Sequence, residues 1–450
     1  MKYRVENLRH IGRLANDLTE WIDPRKLNFS ARDLRKHPAD KRQRIADSIR
    51  TFGFLGIVVI DGDNNVVSGA QRVQAAVDLG LDAVPVMRAA HLSKAKLRAF
   101  RIADNKLAEG SEWDHGALKL EFSEILLDEP GFTLEETGFY SAEIDIVLDG
   151  NPDGDAADAD GILPLTEAVT RVGDLWLIDD GHKLICGDAK SPRSHHRVMG
   201  SDRAVLIATD PPYNVRVRGN VSKLATREFV EGSGELTGLE FAQFLRTSIN
   251  VMLRSSEASA LLYVFMDWRS IDLLIAAGKA EGLELANLCV WNKGTGGMGS
   301  HYRSQHELVA VFKQPGEPSI NNIQLGKYGR NRSNVWSMPG LNRFSGERDE
   351  LLAQHPTIKP VTLVADILKD ASRRGDIVLD TFAGSGTMLL AAHKTGRRAR
   401  CIERDPLYCD VGIRRFQKRF GIEAVHAETG LTFTEMADLR RSDLQSPEAA

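Results

Sequence analysis

Asp376-Ile-Val-Leu-Asp-Thr-Phe-Ala-Gly-Ser-Gly-Thr-Met-Leu-Leu-Ala-Ala-His393 is the stretch whose reading decides the fold. Ile377, Val378 and Leu379 form a short apolar run of the kind buried on both faces of a parallel sheet, and the run ends in Asp380. Gly384 and Gly386 then make a turn, after which small and apolar residues suit a helix. Strand, glycine turn and helix in that order place a nucleoside or phosphate group over the carboxyl edge of a sheet. The spacing is Gly-x-Gly and lacks the third glycine of a dinucleotide fingerprint. A second predicted strand, Ala399 to Ile402, ends in Glu403, where an acid is placed to hold ribose hydroxyls. The plainer reading is a tight turn with no ligand.

At 450 residues the chain exceeds one ordinary core, so two or three domains are expected. Hydrophobic residues at 42% and charged residues at 27% fit a globular protein. No apolar run approaches the length of a membrane span, and the basic N-terminus lacks the apolar core of a secretion signal. Cytoplasmic residence is therefore expected, either with a bacterial nucleoid or from a phage acting in its host. Cys186, Cys289, Cys401 and Cys409 form no zinc-type pair of pairs and read as reduced thiols.

A net charge of -4 does not advertise nucleic-acid binding, but its distribution is uneven. Arg216, Arg218, Lys223 and Arg227 form one basic run, Lys327, Arg330, Arg332 and Arg343 a second, and Lys394 to Arg400 a third. Residues 149–165, rich in Asp, Gly and Ala, read as an acidic flexible linker.

Ahead of that linker the pattern predicts a small α+β domain. Ile45, Ile49 and Phe52 support a helix from about Pro38 to Phe52. Ile57–Ile60 and Asn65–Val67 form a hairpin across Asp61-Gly-Asp-Asn64. A second helix begins at Gly69-Ala-Gln-Arg72, and Ala83–Met87 is a further strand. Residues from about 20 to 110 resemble the N-terminal domain of the ParB/sulfiredoxin-like superfamily. Gly69-Ala-Gln-Arg72 matches that group's glycine-led phosphate-binding box, which implies that Gly69 and Arg72 hold a phosphate of a nucleotide or of DNA. Ala70 stands where ParB-type members have Glu or His, which counts against nucleotide hydrolysis. Residues 111–148 read as short helices without assigned chemistry, and 431–450 as a polar tail.

Beyond the linker, Ala204–Ala208 reads as a buried strand running into Asp210-Pro-Pro-Tyr213. Two prolines cannot continue the hydrogen-bond ladder, so the backbone there is fixed and rich in carbonyls. Asp210 offers a carboxylate, Pro211 a fixed carbonyl and Tyr213, after Pro212, an aromatic face. That set can accept both N–H groups of a planar amine, draw its nitrogen out of the ring plane and stack on the ring. Asn292 to Ser300 is glycine-rich but has no Gly-Lys-Ser/Thr, which disfavours ATP. His301, His306 and Glu307 do not make a His-Glu-x-x-His zinc motif, and no metal is expected.

Across about residues 170–425, within an expected catalytic domain 166–430, these features resemble the amino-methylating DNA methyltransferases of the β arrangement, in which the catalytic box precedes the cofactor box. Asp210-Pro-Pro-Tyr213 matches the catalytic motif and Phe382-Ala-Gly-Ser-Gly-Thr387 the S-adenosylmethionine loop. The resemblance implies cofactor contacts for Asp188, Thr357, Lys359, Asp380, Phe382, Gly384, Ser385, Gly386, Thr387 and Glu403. His355-Pro-Thr-Ile-Lys-Pro360 matches the segment leading to the methionine moiety. The implied fold is a doubly wound, Rossmann-like α/β methyltransferase domain behind the ParB-like one. Asp before Pro-Pro-Tyr favours adenine N6, with cytosine N4 as the rival within the same chemistry. Double-stranded DNA is the implied partner, with Arg216, Arg218, Lys293, Arg303, Lys327, Arg330 and Arg332 as candidate contacts and 314–350 as the target-reading segment. Flipping the target base out of the duplex follows from the chemistry. A restriction partner, a homodimer through the N-terminal domain, and a ParB-like DNA-binding protein carrying a vestigial methyltransferase module all remain open.

Overall fold

The computed structural model describes residues 19–29, 40–107, 113–129, 131–149, 167–179, 181–215, 230–294, 296, 301–316, 318, 320–323, 330, 332–338 and 358–445. The linker region 150–166, Arg216, Arg218, Lys327 and Thr357 therefore lie outside the described residues. The chain divides into two compact units, Met1–Leu148 and Asp149–Ala450.

The first unit carries β1 (Thr19–Ile22), β2 (Val58–Ile60), β3 (Val66–Ser68) and β4 (Val84–Arg88) in the order β1-β4-β2-β3. β2 and β4 are parallel, joined through β3 and the helix Ala70–Asp78. The turn before β3 is held by Asp61, whose carboxylate accepts the backbone N–H of Asp63 and Asn65. Val58, Ile60, Val73, Val84 and Val86 make the core. The helices His115–Asp128 and Ser141–Asp149 pack a separate cluster around Phe122 and Ile144. Arg44 links the helix Lys41–Phe52 to this part, donating to Gly138 O at 2.6 Å and Tyr140 Oη at 2.7 Å.

The second unit is built on a ten-stranded sheet. Its strands are β5 (Leu175–Ile178), β6 (His182–Cys186), β7 (Ala204–Thr209), β8 (Ser256–Met266), β9 (Glu284–Asn292), β10 (His306–Lys313), β11 (Val335–Ser337), β12 (Ile377–Asp380), β13 (Arg398–Glu403) and β14 (Ala424–His426). The order is β11-β9-β10-β8-β7-β12-β13-β6-β5-β14. The central strands β8, β7, β12, β13 and β6 are mutually parallel, while β10 and β5 flank them antiparallel. Helices cover both faces, as a parallel sheet requires. Val378 packs with the helices Val361–Ala371 and Thr387–Lys394, and Ile377 and Leu379 pack with Phe241, Leu245 and Leu274 opposite. All four residues of β12 are buried. Helix starts follow local chemistry. Thr237 and Glu240 form a reciprocal capping box, and Asp405 caps a helix with Pro406 in its first turn.

Three features depart from the sequence expectations. The segment 431–450 is not only a polar tail: Phe433–Gln445 is a helix, with Phe433 and Met436 buried and Phe433 against Trp176. A helix, Pro192–Met199, capped by Ser191, precedes β7. Two members of the third basic run are internal: Arg397 bonds the carbonyls of Ser372 and Thr395 and Arg400 pairs with Asp202, while Arg398 is exposed. Among the described residues no helix is long and apolar enough to cross a membrane.

Candidate active site

β7 and β12 lie side by side at the centre of the sheet, so their carboxyl ends deliver Asp210 and Asp380 to one edge. Thr209 Oγ1 donates to Asp380 Oδ1 at 2.7 Å and ties the two strand ends together. A cleft opens there, lined among others by Pro211, Tyr213, Phe265, Phe382, Gly384 and Glu403. Asp188, Lys359, Ser385 and Thr387 also reach it.

On the cofactor-box side the glycines have distinct duties. Gly386 has φ +79°, and a Cβ there would stand 2.8 Å from Gly412 Cα, so this glycine lets the turn and the helix Pro406–Phe420 meet. The Gly384 N–H donates to Glu403 Oε2 at 2.7 Å, and the Asp405 N–H to Oε1 at 2.8 Å. Burial pushes the Glu403 carboxyl up to about 7, and Asp380 likewise to about 7. Asp188 accepts the Lys190 N–H at 2.8 Å. Ser385 is turned inward: its hydroxyl and carbonyl both accept from Arg415, so its side chain serves the loop's shape.

On the catalytic-box side the arrangement is denser than the sequence indicated. Lys359 Nζ donates to Asp210 Oδ2 at 2.5 Å and lies 3.0 Å from Glu307 Oε2. Tyr213 Oη donates to Asp210 Oδ1 at 2.5 Å, with Glu307 Oε2 at 3.1 Å. Lys293 pairs with the other Glu307 oxygen. Lys359 was expected on the cofactor side. Its ammonium sits on the Asp210 carboxylate, above the ring of Phe265 at 5.2 Å, while its carbonyl accepts from Thr387 Oγ1. Burial works against the Lys359 charge, but Asp210 and Glu307 outweigh it and raise its pKa. Burial would lift Glu307, yet Lys359 and Lys293 hold it down at about 2. Burial, opposed by Lys359, leaves Asp210 above its ordinary range, and burial raises Tyr213 well above its own, so the phenol keeps its proton.

Glu307 was read in the sequence only as part of a failed zinc motif. The signal for it was an acid at the start of an apolar strand, where alternation puts it on the buried face.

The DNA-contact candidates divide. Arg303 is exposed, as are its neighbours His301 and Tyr302. Lys293 is committed to Glu307. Arg330 and Arg332 are corrected: both pack against the helix Val361–Ala371, Arg330 buried and Arg332 half-buried, where Arg330 pairs with Asp370 at 2.6 Å and Arg332 bridges Asp366 and Asp370. Two carboxylates one helical turn apart on a buried face need such partners. In the first unit, Gly69 (φ +94°) opens the helix Ala70–Asp78, and Arg72 donates to Ile57 O at 3.3 Å. Both line a cavity with Lys41, Arg44, Gln71 and Arg101.

Comparison with known proteins agrees with this geometry. Residues 204–414, just under half of the chain, match the family model N6_N4_Mtase, DNA methylase. YubD of Escherichia coli (strain K12), named as a presumptive methylase, is 28% identical over 210 residues, spanning 47% of this chain and 80% of that protein. The type II methyltransferase M.HpaI of Haemophilus parainfluenzae is 24% identical over 256 residues, 53% of this chain and 75% of its own. A truncated chromosome-partitioning ParB of Caulobacter crescentus, solved with CTP-γ-S, aligns over 29% of this chain and 85% of its own with 16% identity and a TM-score of 0.23. Residues 204–414 are thus similar to the DNA amino-methyltransferases, the type acting on adenine N6 or cytosine N4. S-adenosylmethionine is the methyl donor of that family. The cleft fits it: aromatic walls face a carboxyl, Glu403, that accepts one backbone N–H on each oxygen and keeps lone-pair capacity for ribose hydroxyls.

Proposed function

We propose that this chain methylates the N6 amine of adenine in double-stranded DNA. The observation that carries the reading is the meeting of two motifs 171 positions apart, through Thr209 and Asp380, on one cleft. The cofactor supplies a methyl carbon bound to a positive sulfur. Gly384, Phe382 and Glu403 would hold it, with Asp188 toward the adenine end. Asp210 and the Pro211 carbonyl accept the target amine's N–H groups and draw its lone pair out of the ring plane, while Tyr213 stacks on the flipped base. Stacking of this kind offsets ~1–3 kcal/mol of the flipping cost. The Asp of Asp210-Pro-Pro-Tyr213 supports adenine; cytosine N4 uses the same machinery. Arg303 is the described residue we assign to DNA contact.

We assign the first unit to a ParB-like domain, on its glycine-opened helix and basic cavity around Arg72, and give it a phosphate of nucleotide or DNA as ligand.

The test uses labelled S-adenosylmethionine and unmethylated genomic DNA, then digestion and nucleoside chromatography. Label in N6-methyladenine that vanishes in Asp210→Ala supports the proposal. Label in N4-methylcytosine reverses the choice of base. Cofactor binding without transfer to DNA moves the substrate to another planar amine.

A further inference from the structure

Lys359 occupies the acceptor that the target amine needs. Its Nζ is 2.5 Å from Asp210 Oδ2, and an amine cannot use that oxygen fully while the ammonium holds it. The same Nζ lies 3.0 Å from Glu307 Oε2, so one small displacement carries it from one carboxylate to the other. Lys359 is 7% exposed and Glu307 8%, so water offers the displaced ammonium little. Around it stand the rings of Phe265, Tyr213 and Trp291 at 5.2, 5.6 and 6.0 Å, which favour a cation but do not neutralise it. A buried ammonium stripped of its anion is strongly disfavoured.

We propose that Glu307 is a positioning residue that receives the Lys359 ammonium when an incoming base displaces it from Asp210. This rests on the reading of Asp210 as the acceptor of the target amine. In the free protein Lys359 is shared by both carboxylates and keeps Asp210 oriented through the same grip that Tyr213 completes. With a base in place, Lys359 belongs to Glu307 alone, and Lys293 steadies the other Glu307 oxygen from the exposed side. The exchange moves no proton and breaks no covalent bond.

The test is a two-residue cycle in the full-length protein, read as methyl transfer to unmethylated genomic DNA. E307Q lowers kcat/KM for DNA by about ten- to hundredfold, the range of direct side-chain coupling. KM for S-adenosylmethionine stays at the wild-type value, which separates base entry from cofactor binding. In the E307Q background, K359M recovers part of the lost transfer, because no ammonium then needs a new partner while Asp210 keeps the Tyr213 hydroxyl alone. Should E307Q fail to fold, E307D carries the test in milder form, its shorter arm drawing away from Lys359, with the loss again relieved by K359M. Wild-type transfer by E307Q overturns the proposal, and so do losses that multiply in E307Q/K359M. Undiminished transfer by D210A sinks the underlying reading instead, and so marks the two failures apart.

Discussion

Thr209 Oγ1 and Asp380 Oδ1, 2.7 Å apart, are the buried joint between the strand that presents the catalytic box and the strand that presents the cofactor loop. Thr209 also accepts the Thr381 N–H, and Asp380 accepts the Phe382 N–H, so both residues shape the turn that follows β12. Thr209→Val keeps the shape and removes both hydroxyl bonds. Leaving buried groups unsatisfied costs about 1–3 kcal/mol. Urea unfolding of the variant should show that loss, with a raised KM for S-adenosylmethionine and normal DNA affinity.

Gly386→Ala should be worse for its size than any surface change. The added Cβ meets backbone, Gly412 Cα, at 2.8 Å, and φ is +79°. Strain of this kind costs about 1–3 kcal/mol, and it displaces the loop itself. Thermal unfolding should drop by several degrees, and cofactor titration should show weaker binding even at temperatures where the variant is folded.

Arg330 and Arg303 make an opposed pair. Arg330→Met leaves Asp370, a carboxylate 3% exposed, with Arg332 as its remaining arginine, and breaking a buried pair costs up to about 3–5 kcal/mol. Arg303→Ala should leave the unfolding midpoint within error and weaken DNA binding, with a shallower dependence on salt. A gel-shift series across salt concentrations and a melting curve for each variant read both halves.

Stability should fall as pH rises through neutrality. Glu403 and Asp380 sit at about 7 in the folded chain against the ordinary carboxylate range when unfolded. Between those values the folded state holds more protons, so its advantage is complete at acid pH and is lost as pH passes 7. His182, held down to about 4 by burial, acts in the opposite sense, its contribution being lost as pH falls below its unfolded value. Melting curves between pH 6.5 and 8.5 follow the end of this loss, and Glu403→Gln should reduce it across that range by on the order of 1 kcal/mol. Saturating S-adenosylmethionine should also flatten it, since ribose hydroxyls donate to the ionised form.

What was legible in the chain was what local backbone chemistry writes. Pro211 and Pro212 end a strand wherever they stand, and Gly384 and Gly386 permit a turn that other residues resist. The apolar run Ile377–Leu379 names a buried strand without help from its neighbours. Glu307 was not legible as a site residue, because its role comes from β10 lying beside β8 and from Lys359 arriving across the sheet edge. Arg330 and Arg332 looked like surface charge in a polar segment. Their partners Asp366 and Asp370, four apart on an apolar helix, carried the contrary signal, but only the fold shows that the two segments meet. Phe433 and Met436 were lost in a polar ending for a similar reason: Trp176, which Phe433 packs against, is far upstream.

The interleaving of the sheet also bears on how the protein is made. β6 pairs with β13, and β7 with β12, so strands translated early wait for partners translated late. A chain still on the ribosome at Tyr213 has the whole catalytic box and no active site. Until residue 380 has emerged β7 lacks β12, and until residue 403 has emerged β6 lacks β13. This half of the protein must pass through synthesis as an unfinished sheet, exposed to mispairing and to chaperones, and its chemistry is withheld until nearly the last strand.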